Sequence, residues 1–371
     1  MTLLVPWAPA SAVVYTATFA TINSIFSGAS SGDTIRMTGT FGQTRLENMV
    51  FAKGITLDAR QAVFTDTLEL VHLSGVRVFG GTFDIASRVT RDSKAAVVWD
   101  GANIAFDSPV ITGDASQSGI SFSGVNNARV SGGKFTGLHV GIGLHDVTNG
   151  LLIKNSISKA DADGINIADS HRVRATYNSC SGGTPGVGEH PDCIQLWSVA
   201  GRLLQSDIVV SDNIATGATQ GFTSFTNGSE AASGIRLSFL HNTVNTSYPQ
   251  GIACYGCVDS NISYNKVTTL AGSQYMTTIN IVGGTNNIVT GNTIGGTLSS
   301  TSAGLLSGEL DDGAVSSSTA SAAGGEGLNE DLPFDFGPSP VTEPGTWAML
   351  VAGFGLVGVT ARRRTLRQTA A

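Results

Sequence analysis

Short apolar segments separated by glycine, asparagine and aspartate recur along most of this chain. Six of these segments contain an asparagine, at Asn155, Asn178, Asn213, Asn242, Asn265 and Asn292. The spacing from Asn155 to Asn178 is 23 residues, and so is the spacing from Asn242 to Asn265. Because a coil of three short strands and three turns needs about that length, each asparagine should lie over the last at about 4.8 Å. The pattern therefore predicts a solenoid with a ladder of stacked asparagine amides.

A second apolar column repeats in step with the asparagines. Its segments are residues 119–122, 141–144, 164–167, 193–196 and 251–254. In each segment the first and third apolar residues should face inward and the residue between them outward, and stacking then buries a continuous core. A β-sandwich would instead show hairpin turns, and a leucine-rich repeat would show its own leucine pattern. We predict an all-β, right-handed parallel β-helix of about ten coils, the handedness following from the usual crossover between parallel strands.

Composition agrees with this fold and narrows the function. The 47 glycines and only 13% charged residues are typical of short strands joined by tight turns. The net charge of −7 is uneven, because residues 309–343 carry eight acids and no base, while four arginines lie between 362 and 367. No cluster of Lys and Arg indicates a nucleic-acid partner.

The two ends of the chain differ from the repeat. Residues 1–12 resemble the end of a signal peptide, and residues 13–296 are the predicted β-helix domain. Residues 297–340 are rich in Ser, Ala, Gly and acids, which predicts a disordered linker. Within 341–371, an apolar run of 16 residues from 346 to 361 precedes three arginines, which predicts a short transmembrane helix.

The C-terminal segment contains Thr342-Glu343-Pro344 followed by Trp347-Ala348. It resembles the PEP-CTERM sorting signal of Gram-negative bacteria, with Thr342 in place of the motif's first proline. The resemblance implies export, transient anchoring in the inner membrane, processing by an exosortase, and release to the cell surface or the extracellular matrix. The alternative is an ordinary tail anchor.

The longest insertion early in the repeat points to a site. The spacing from Ile165 to Ile194 is 29 residues, and insertions in a solenoid are often on its binding face. Alignment of the rungs places acids, amides and imidazoles on one ridge, along which a polysaccharide could lie. The candidate catalytic residues are Asp163, Asp192, His190 and Asp161, with Asp163 stacked on Asp192 and Asp161 on His190. The candidate substrate-binding residues are Asn166, Gln195, Trp197 and His145.

Residues 160–167 and 190–196 resemble two segments of the polygalacturonase-type glycoside hydrolases, Asn-Thr-Asp-Gly-Ile and Gly-Asp-Asp-Cys-Ile. This resemblance implies a parallel β-helix and catalytic aspartates at Asp163 and Asp192. Pro191 stands where that family has the first aspartate of its pair, and no Gly-His-Gly or Arg-Ile-Lys follows.

The reaction stays open at this point. Glycoside hydrolysis needs two carboxyl groups, whereas elimination from a uronide needs a base and a cation, for which Ca²⁺ is the candidate cofactor. An epimerase would use similar groups. A non-catalytic surface β-helix that binds glycans is the rival, because aspartate before a strand is also a common turn residue. We otherwise expect no cofactor.

The remaining polar residues receive structural interpretations. The four cysteines suggest two local disulfides, one between Cys180 and Cys193 and one between Cys254 and Cys257, with plain thiols or metal binding as alternatives. No partner is assigned to the histidines at 139, 171 and 241, which are therefore interpreted as structural.

Overall fold

The structure is a computed structural model that describes residues 12–88, 93–186, 189–199, 201–227 and 232–295. These residues form a parallel β-solenoid of about eleven turns, which confirms the predicted fold class. Each turn contributes strands to three faces, here named sheet I, sheet II and sheet III. The strands are numbered β1 to β33 in chain order.

Sheet I contains β3 Thr44–Glu47, β5 Leu68–Val71, β8 Lys94–Trp99, β11 Ser118–Ser123, β14 Ile142–His145, β17 Ile165–Ala168, β20 Asp192–Val199, β23 Gln220–Asn227, β27 Gln250–Tyr255 and β31 Thr278–Val282. Sheet II contains β1 Val14–Ala17, β2 Thr34–Phe41, β4 Val50–Phe64, β6 Ser74–Phe79, β9 Ala102–Asp107, β12 Asn126–Ser131, β15 Thr148–Ile153, β18 His171–Thr176, β21 Val209–Ser211, β25 Ser238–Leu240, β29 Asn261–Ser263 and β32 Ile288–Thr290. Sheet III contains β7 Thr82–Asp84, β10 Val110–Thr112, β13 Lys134–Thr136, β16 Ser156–Ser158, β19 Ser179–Ser181, β22 Ile214–Gly217, β26 Thr243–Thr246, β30 Lys266–Thr269 and β33 Thr293–Gly295. The long β4 pairs with both β6 and β7 and so joins sheets II and III. A short pair, β24 Gly234–Ile235 and β28 Cys257–Val258, completes the strands.

The register of sheet I agrees with the alignment made from the sequence. Ile142 pairs with Ile165, which pairs with Ile194, and the column continues through Phe222 to Ile252. All five side chains are fully buried. Inward-facing apolar residues at the same position in each coil therefore form the continuous core that the repeat predicted.

The asparagine ladder is also present. Asn178 shows the pattern, since its side-chain Nδ2 donates to Asn213 Oδ1 at 3.0 Å and to the Leu152 carbonyl at 2.9 Å. Its backbone N–H donates to the same Asn213 oxygen at 2.8 Å. The contact repeats from Asn155 to Asn292, so all six predicted asparagines belong to the ladder. The ladder satisfies buried backbone groups at the corner between sheets II and III.

The N-terminal end of the solenoid is covered by α1 Ile22–Gly28, whose Ile22 and Phe26 are buried. In the described part of the chain, no helix is long and apolar enough to cross a membrane. The predicted transmembrane helix, the linker at 297–340 and most of the segment at 1–12 lie outside the described residues.

Candidate active site

The acid pair, Asp163 and Asp192, lies at the corner where two successive coils enter sheet I. The backbone N–H of Gly164 donates to the Asp192 carbonyl at 2.8 Å, and the Asp192 N–H donates to Asp163 Oδ1 at 3.2 Å. The predicted stacking of Asp163 on Asp192 is therefore present. A Cβ added to Gly164 would lie 2.7 Å from the Cys193 carbonyl oxygen, so only glycine fits after Asp163.

A chain of amides connects the two carboxyl groups. Asn166 Nδ2 donates to Asp163 Oδ2 at 2.7 Å and to Gln195 Oε1 at 3.1 Å, while Gln195 Nε2 donates to Asp192 Oδ2 at 3.0 Å. The indole of Trp197 donates to Asn166 Oδ1 at 2.8 Å and holds this amide in place. Asn166 and Gln195, which were predicted to bind substrate, therefore orient the two acids, and both amides remain partly exposed.

Burial changes the protonation of both acids. Asp163 is 7% exposed and Asp192 is 1% exposed. Desolvation, followed by repulsion from Asp192, raises the pKa of Asp163 to about 7. Desolvation also raises the pKa of Asp192, although hydrogen bonds from its polar neighbours oppose the shift. The pair therefore holds a proton under conditions in which exposed carboxyl groups are ionised.

His190 is the exposed member of the site. Its Nδ1 lies 3.5 Å from Asp192 Oδ2, and 64% of its side chain is exposed while that of Asp192 is fully buried. The interaction with Asp192 raises the pKa of His190 to about 9, so the imidazole is protonated at neutral pH. Thr223, in the following coil, donates to Asp192 Oδ1 at 2.8 Å and completes the set of contacts around this carboxyl group.

Asp161 is placed differently from the prediction. Its Oδ2 lies 3.1 Å from Nδ1 of His139, and no contact between Asp161 and His190 is among those of the described residues. His139, which we interpreted as structural, therefore forms a second histidine–aspartate pair at the same corner. Its carbonyl also accepts the N–H groups of Ala162 and Asp163 at 3.0 and 3.1 Å, which ties it to the acid pair.

The roles of His139 and Thr223 at this corner were not predicted from the sequence. The 22-residue step from His139 to Asp161 is close to one coil and was a usable signal, whereas Thr223 has no sequence signal beyond its register with Gln195. His171 Nδ1 lies 3.2 Å from the Ser206 hydroxyl, and His241 stacks on Tyr264 at 5.3 Å.

His145 and Trp197 share one outward column of sheet I with Ala168 between them, as predicted. Burial, together with the positive charges of Lys94 and Arg202, lowers the pKa of His145 to about 4. The imidazole is therefore neutral across the physiological range. A neutral imidazole at this place can accept or donate a hydrogen bond but brings no charge to a ligand.

Both suggested cysteine pairs are joined in the structure. Cys180 and Cys193 are bonded with a Cα–Cα distance of 5.4 Å, and Cys254 and Cys257 with a distance of 5.6 Å. The first bond closes the loop that carries His190, so it fixes the base of that loop to the corner. Among the described residues, no group of three or more His, Cys, Asp or Glu side chains is placed to hold a metal ion.

Comparisons with known proteins agree with the fold and the sorting signal. Residues 74–267, just over half of the 371, match the family model described as the right-handed β-helix region, so the chain belongs to that family. Residues 340–364 match the PEP-CTERM protein-sorting motif, which confirms the predicted resemblance and indicates export to the cell surface in Gram-negative bacteria. No curated protein matches the chain.

Solved structures share the fold at low sequence identity. An alginate lyase from Paenibacillus sp. str. FPU-7 aligns with a TM-score of 0.53 and 15% identity, covering 74% of this chain and 99% of the lyase. The A-module of a mannuronan C-5 epimerase from Azotobacter vinelandii aligns at 0.44 and 12%, covering 75% and 94%. A polygalacturonase from Erwinia carotovora ssp. carotovora aligns at 0.41 and 10%, covering 81% and 99%. At such identities these likenesses describe the fold alone.

Proposed function

We propose that this chain is an exported protein that cleaves or modifies an extracellular polysaccharide at the acid pair. The observation that carries the proposal is geometric: two buried acids, Asp163 and Asp192, are stacked at one corner, and the exposed imidazole of His190 lies 3.5 Å from Asp192. This burial and this contact displace the pKa of all three groups. Acid–base catalysis requires displaced pKa values of this kind, and they concentrate at functional sites. The alginate lyase that shares the fold supports a polysaccharide as the partner.

The residues divide into roles by their exposure. His190 reaches solvent, so it is the group that contacts substrate, and its protonated ring can donate a proton to the departing oxygen of a sugar linkage. Asp192 is a positioning residue that keeps the ring charged. Asp163 retains some exposure and titrates near neutrality, which suits a base that takes a proton from water or from a carbon next to a carboxylate.

This division predicts the pH profile of the reaction. The base must be ionised and the acid protonated, so turnover should be highest between about pH 7 and about pH 9. The products identify the reaction. Hydrolysis gives new reducing ends, elimination gives unsaturated uronates, and epimerisation changes the sugar without shortening the chain.

An Asp192→Asn variant tests the site. Replacing Asp192 removes the charge that raises the pKa of His190, so the alkaline limb of the profile should move down towards the usual range of histidine, and turnover should fall about 10²- to 10⁴-fold. A merely structural role would change the melting temperature without moving that limb. Asp58→Asn is the control, because Asp58 is another buried acid, 7% exposed, that lies on sheet II away from the site and pairs with Arg60 at 2.8 Å. Unchanged turnover and profile in Asp192→Asn would show that the site is assigned wrongly.

One observation favours a second function. All four carboxylate oxygens of the acid pair accept hydrogen bonds from the protein, as the acids of a structural corner also would. In that case the protein binds glycans at the surface or builds matrix without changing them. A panel of polysaccharides that bind the full chain but yield none of the three products would support this alternative.

A further inference from the structure

Sheet I changes character along the solenoid. Its first three strands, β3, β5 and β8, carry the charged residues Arg45, Glu47, Glu69 and Lys94. Its last four strands, β20, β23, β27 and β31, contain no Lys, Arg, His, Asp or Glu apart from Asp192. The described segments that lead into the last three strands add none, and they are residues 217–219, 247–249 and 270–277. The surface of sheet I that extends from the acid pair towards the end of the solenoid is therefore uncharged.

Aromatic side chains form one edge of this surface. Trp197 pairs in register with Phe225, and the ring of Phe225 stacks on that of Tyr255 in the next coil, with 5.1 Å between the ring centroids. All three side chains are partly exposed. Because the coils are about 4.8 Å apart, the three rings form an apolar strip about 10 Å long. The strip starts at the indole that holds Asn166, beside the acid pair.

Neutral amides form the other edge. Gln220 follows Asp192 in register, and Gln250 is the first residue of β27 in the coil after it. The side chain of Gln220 is buried, and its Oε1 accepts no hydrogen bond from the described residues. Gln250 is partly exposed. A side-chain amide both donates and accepts hydrogen bonds, as a sugar hydroxyl does, so this edge can bind hydroxyl groups without a charge.

We infer that this neutral face, formed by Trp197, Phe225, Tyr255, Gln220 and Gln250, binds the sugars of an uncharged polysaccharide that extends from the acid pair along the solenoid axis. A neutral sugar ring presents apolar C–H groups and polar hydroxyls, which match the aromatic edge and the amide edge. The inference rests on the polysaccharide partner proposed above and names its class.

The absence of charge on the neutral face disfavours a polyuronate. A uronate bound there would bring its carboxylate close to Asp192, and no Lys or Arg of β20, β23, β27 or β31 could pair with it. The positive charge of His190 is already paired with Asp192. Burying a carboxylate without a partner is costly, so selectivity for neutral chains follows from what the face lacks as well as from what it offers.

A neutral chain also narrows the reaction to hydrolysis. Elimination and epimerisation both begin with removal of a proton from the carbon next to a carboxylate, and a neutral sugar has no such group. In hydrolysis the hydroxyl of water joins the anomeric carbon and its proton goes to Asp163, while the departing oxygen takes a proton from His190. Exchange with solvent returns both groups to their starting protonation states.

Calorimetric titration of the full chain with matched probes tests the selectivity. The neutral probes are galactomannan, xylan, mixed-linkage β-glucan and carboxyl-reduced forms of polygalacturonate and alginate, and the acidic probes are the unreduced polygalacturonate and alginate. We expect at least one neutral polysaccharide to bind at least tenfold more tightly than either polyuronate. Polyuronate binding as tight as that of every neutral probe, or no binding of any neutral probe, would overturn the inference.

Variants of the face locate the binding. Tyr255→Ala and Gln250→Ala should each weaken binding of the neutral polysaccharide about tenfold. Tyr264→Ala is the matched control, because Tyr264 likewise stacks on an aromatic ring, that of His241 at 5.3 Å, but lies at the corner between sheets II and III, and it should change binding less than about twofold. Equal affinities of wild type, Tyr255→Ala and Gln250→Ala would show that the polysaccharide binds elsewhere.

Gln250→Lys tests the role of charge in the opposite direction. Its new ammonium group would supply the missing partner for a carboxylate, so polygalacturonate binding should strengthen at least tenfold and weaken again as salt rises. The position is partly exposed, so the variant should keep the melting temperature of wild type. Unchanged polygalacturonate binding in Gln250→Lys would contradict the argument from charge.

This inference and the proposed function fail separately. A neutral polysaccharide that binds the wild-type chain but gives no new reducing ends would support the neutral face and refute turnover at the acid pair. Turnover of polyuronates alone would do the reverse. Asp192→Asn should lower turnover while it keeps binding of the neutral polysaccharide, whereas Tyr255→Ala should weaken binding and leave the pH profile of turnover in place.

Discussion

Replacement of Asp163 by asparagine should change how stability depends on pH. In the folded chain the pKa of Asp163 is raised to about 7, mainly by burial, whereas the unfolded carboxyl group titrates near 3.8. Between these values the folded chain binds one more proton than the unfolded chain, so the free energy of unfolding decreases as pH rises. The stabilisation is complete below about pH 4 and is lost as pH rises through about 7.

The magnitude follows from the size of the shift. A difference of about three pKa units, at about 1.4 kcal/mol per unit, amounts to about 4 kcal/mol between pH 4 and pH 7. Asp192 contributes in the same direction, because its pKa is raised as well. The quantity to measure is therefore the difference between wild type and Asp163→Asn, followed by urea unfolding at half-unit steps of pH. Stopping at pH 7.5 limits the contribution of His190. Because the pKa of His190 is raised from 6.5 to about 9 in the folded chain, the stabilisation from this residue is lost as pH rises between those values.

Asp58→Asn provides the control for this measurement. Asp58 is as buried as Asp163, but its hydrogen bonds from Arg60 lower its pKa below the usual value. Its stabilisation is present above the unfolded pKa and is lost only as pH falls through the folded one. The control variant should therefore run parallel to wild type between pH 5 and pH 7.5. If Asp163→Asn also runs parallel to wild type there, Asp163 titrates normally and the reasoning about the acid pair is refuted.

Two further predictions concern the scaffold of the site. Asn213→Ala leaves the Asn178 N–H without its 2.8 Å acceptor and should cost about 3 kcal/mol in urea unfolding, whereas Asn292→Ala, in the last and partly exposed coil, should cost about 1 kcal/mol because water can replace the amide. Equal losses of unfolding free energy in the two variants would contradict the argument that a ladder asparagine contributes more when it is buried. Replacing Cys180 and Cys193 together by serine removes a bond that closes 13 residues and should cost about 3 kcal/mol; a loss below about 1 kcal/mol would show that the corner is held without it.

The fold could be predicted from the sequence because its period fixes the register. Once Asn155 and Asn178 are placed one above another, the strands between them have one register that turns their alternating apolar residues, such as Ile165 and Ile167, into the core. The same alignment correctly stacked Asp163 on Asp192 and Asn166 on Gln195. Strands are predictable here because each side chain's direction follows from its position in a two-residue alternation.

The corner before sheet I could not be predicted in the same way. Turn residues do not alternate, so the directions of Asp161 and His190 do not follow from register. The insertion lengthens the coil from 23 to 29 residues, and it moves His190 beside Asp192 while Asp161 turns towards His139. Displaced pKa values depend on this local burial, which no spacing in the sequence encodes.

The free-energy cost of burying the acid pair helps to decide whether these residues are structural or catalytic. The first residue of the sheet I strand is Asp192 in β20, whereas it is the neutral Gln220 in the next coil and, further along, Gln250 and Thr278. Neutral residues therefore close the same corner elsewhere in this solenoid without burying a charge. Two buried acids with raised pKa values make the folded state less stable at neutral pH than such residues would. Because the turn does not need them, the acids are better explained by chemistry at this corner. Asp192→Gln, which copies the residue of the next coil, should accordingly be more stable than wild type at pH 8, with turnover reduced about 10²- to 10⁴-fold as in Asp192→Asn. A variant that is less stable at pH 8 would favour the structural explanation.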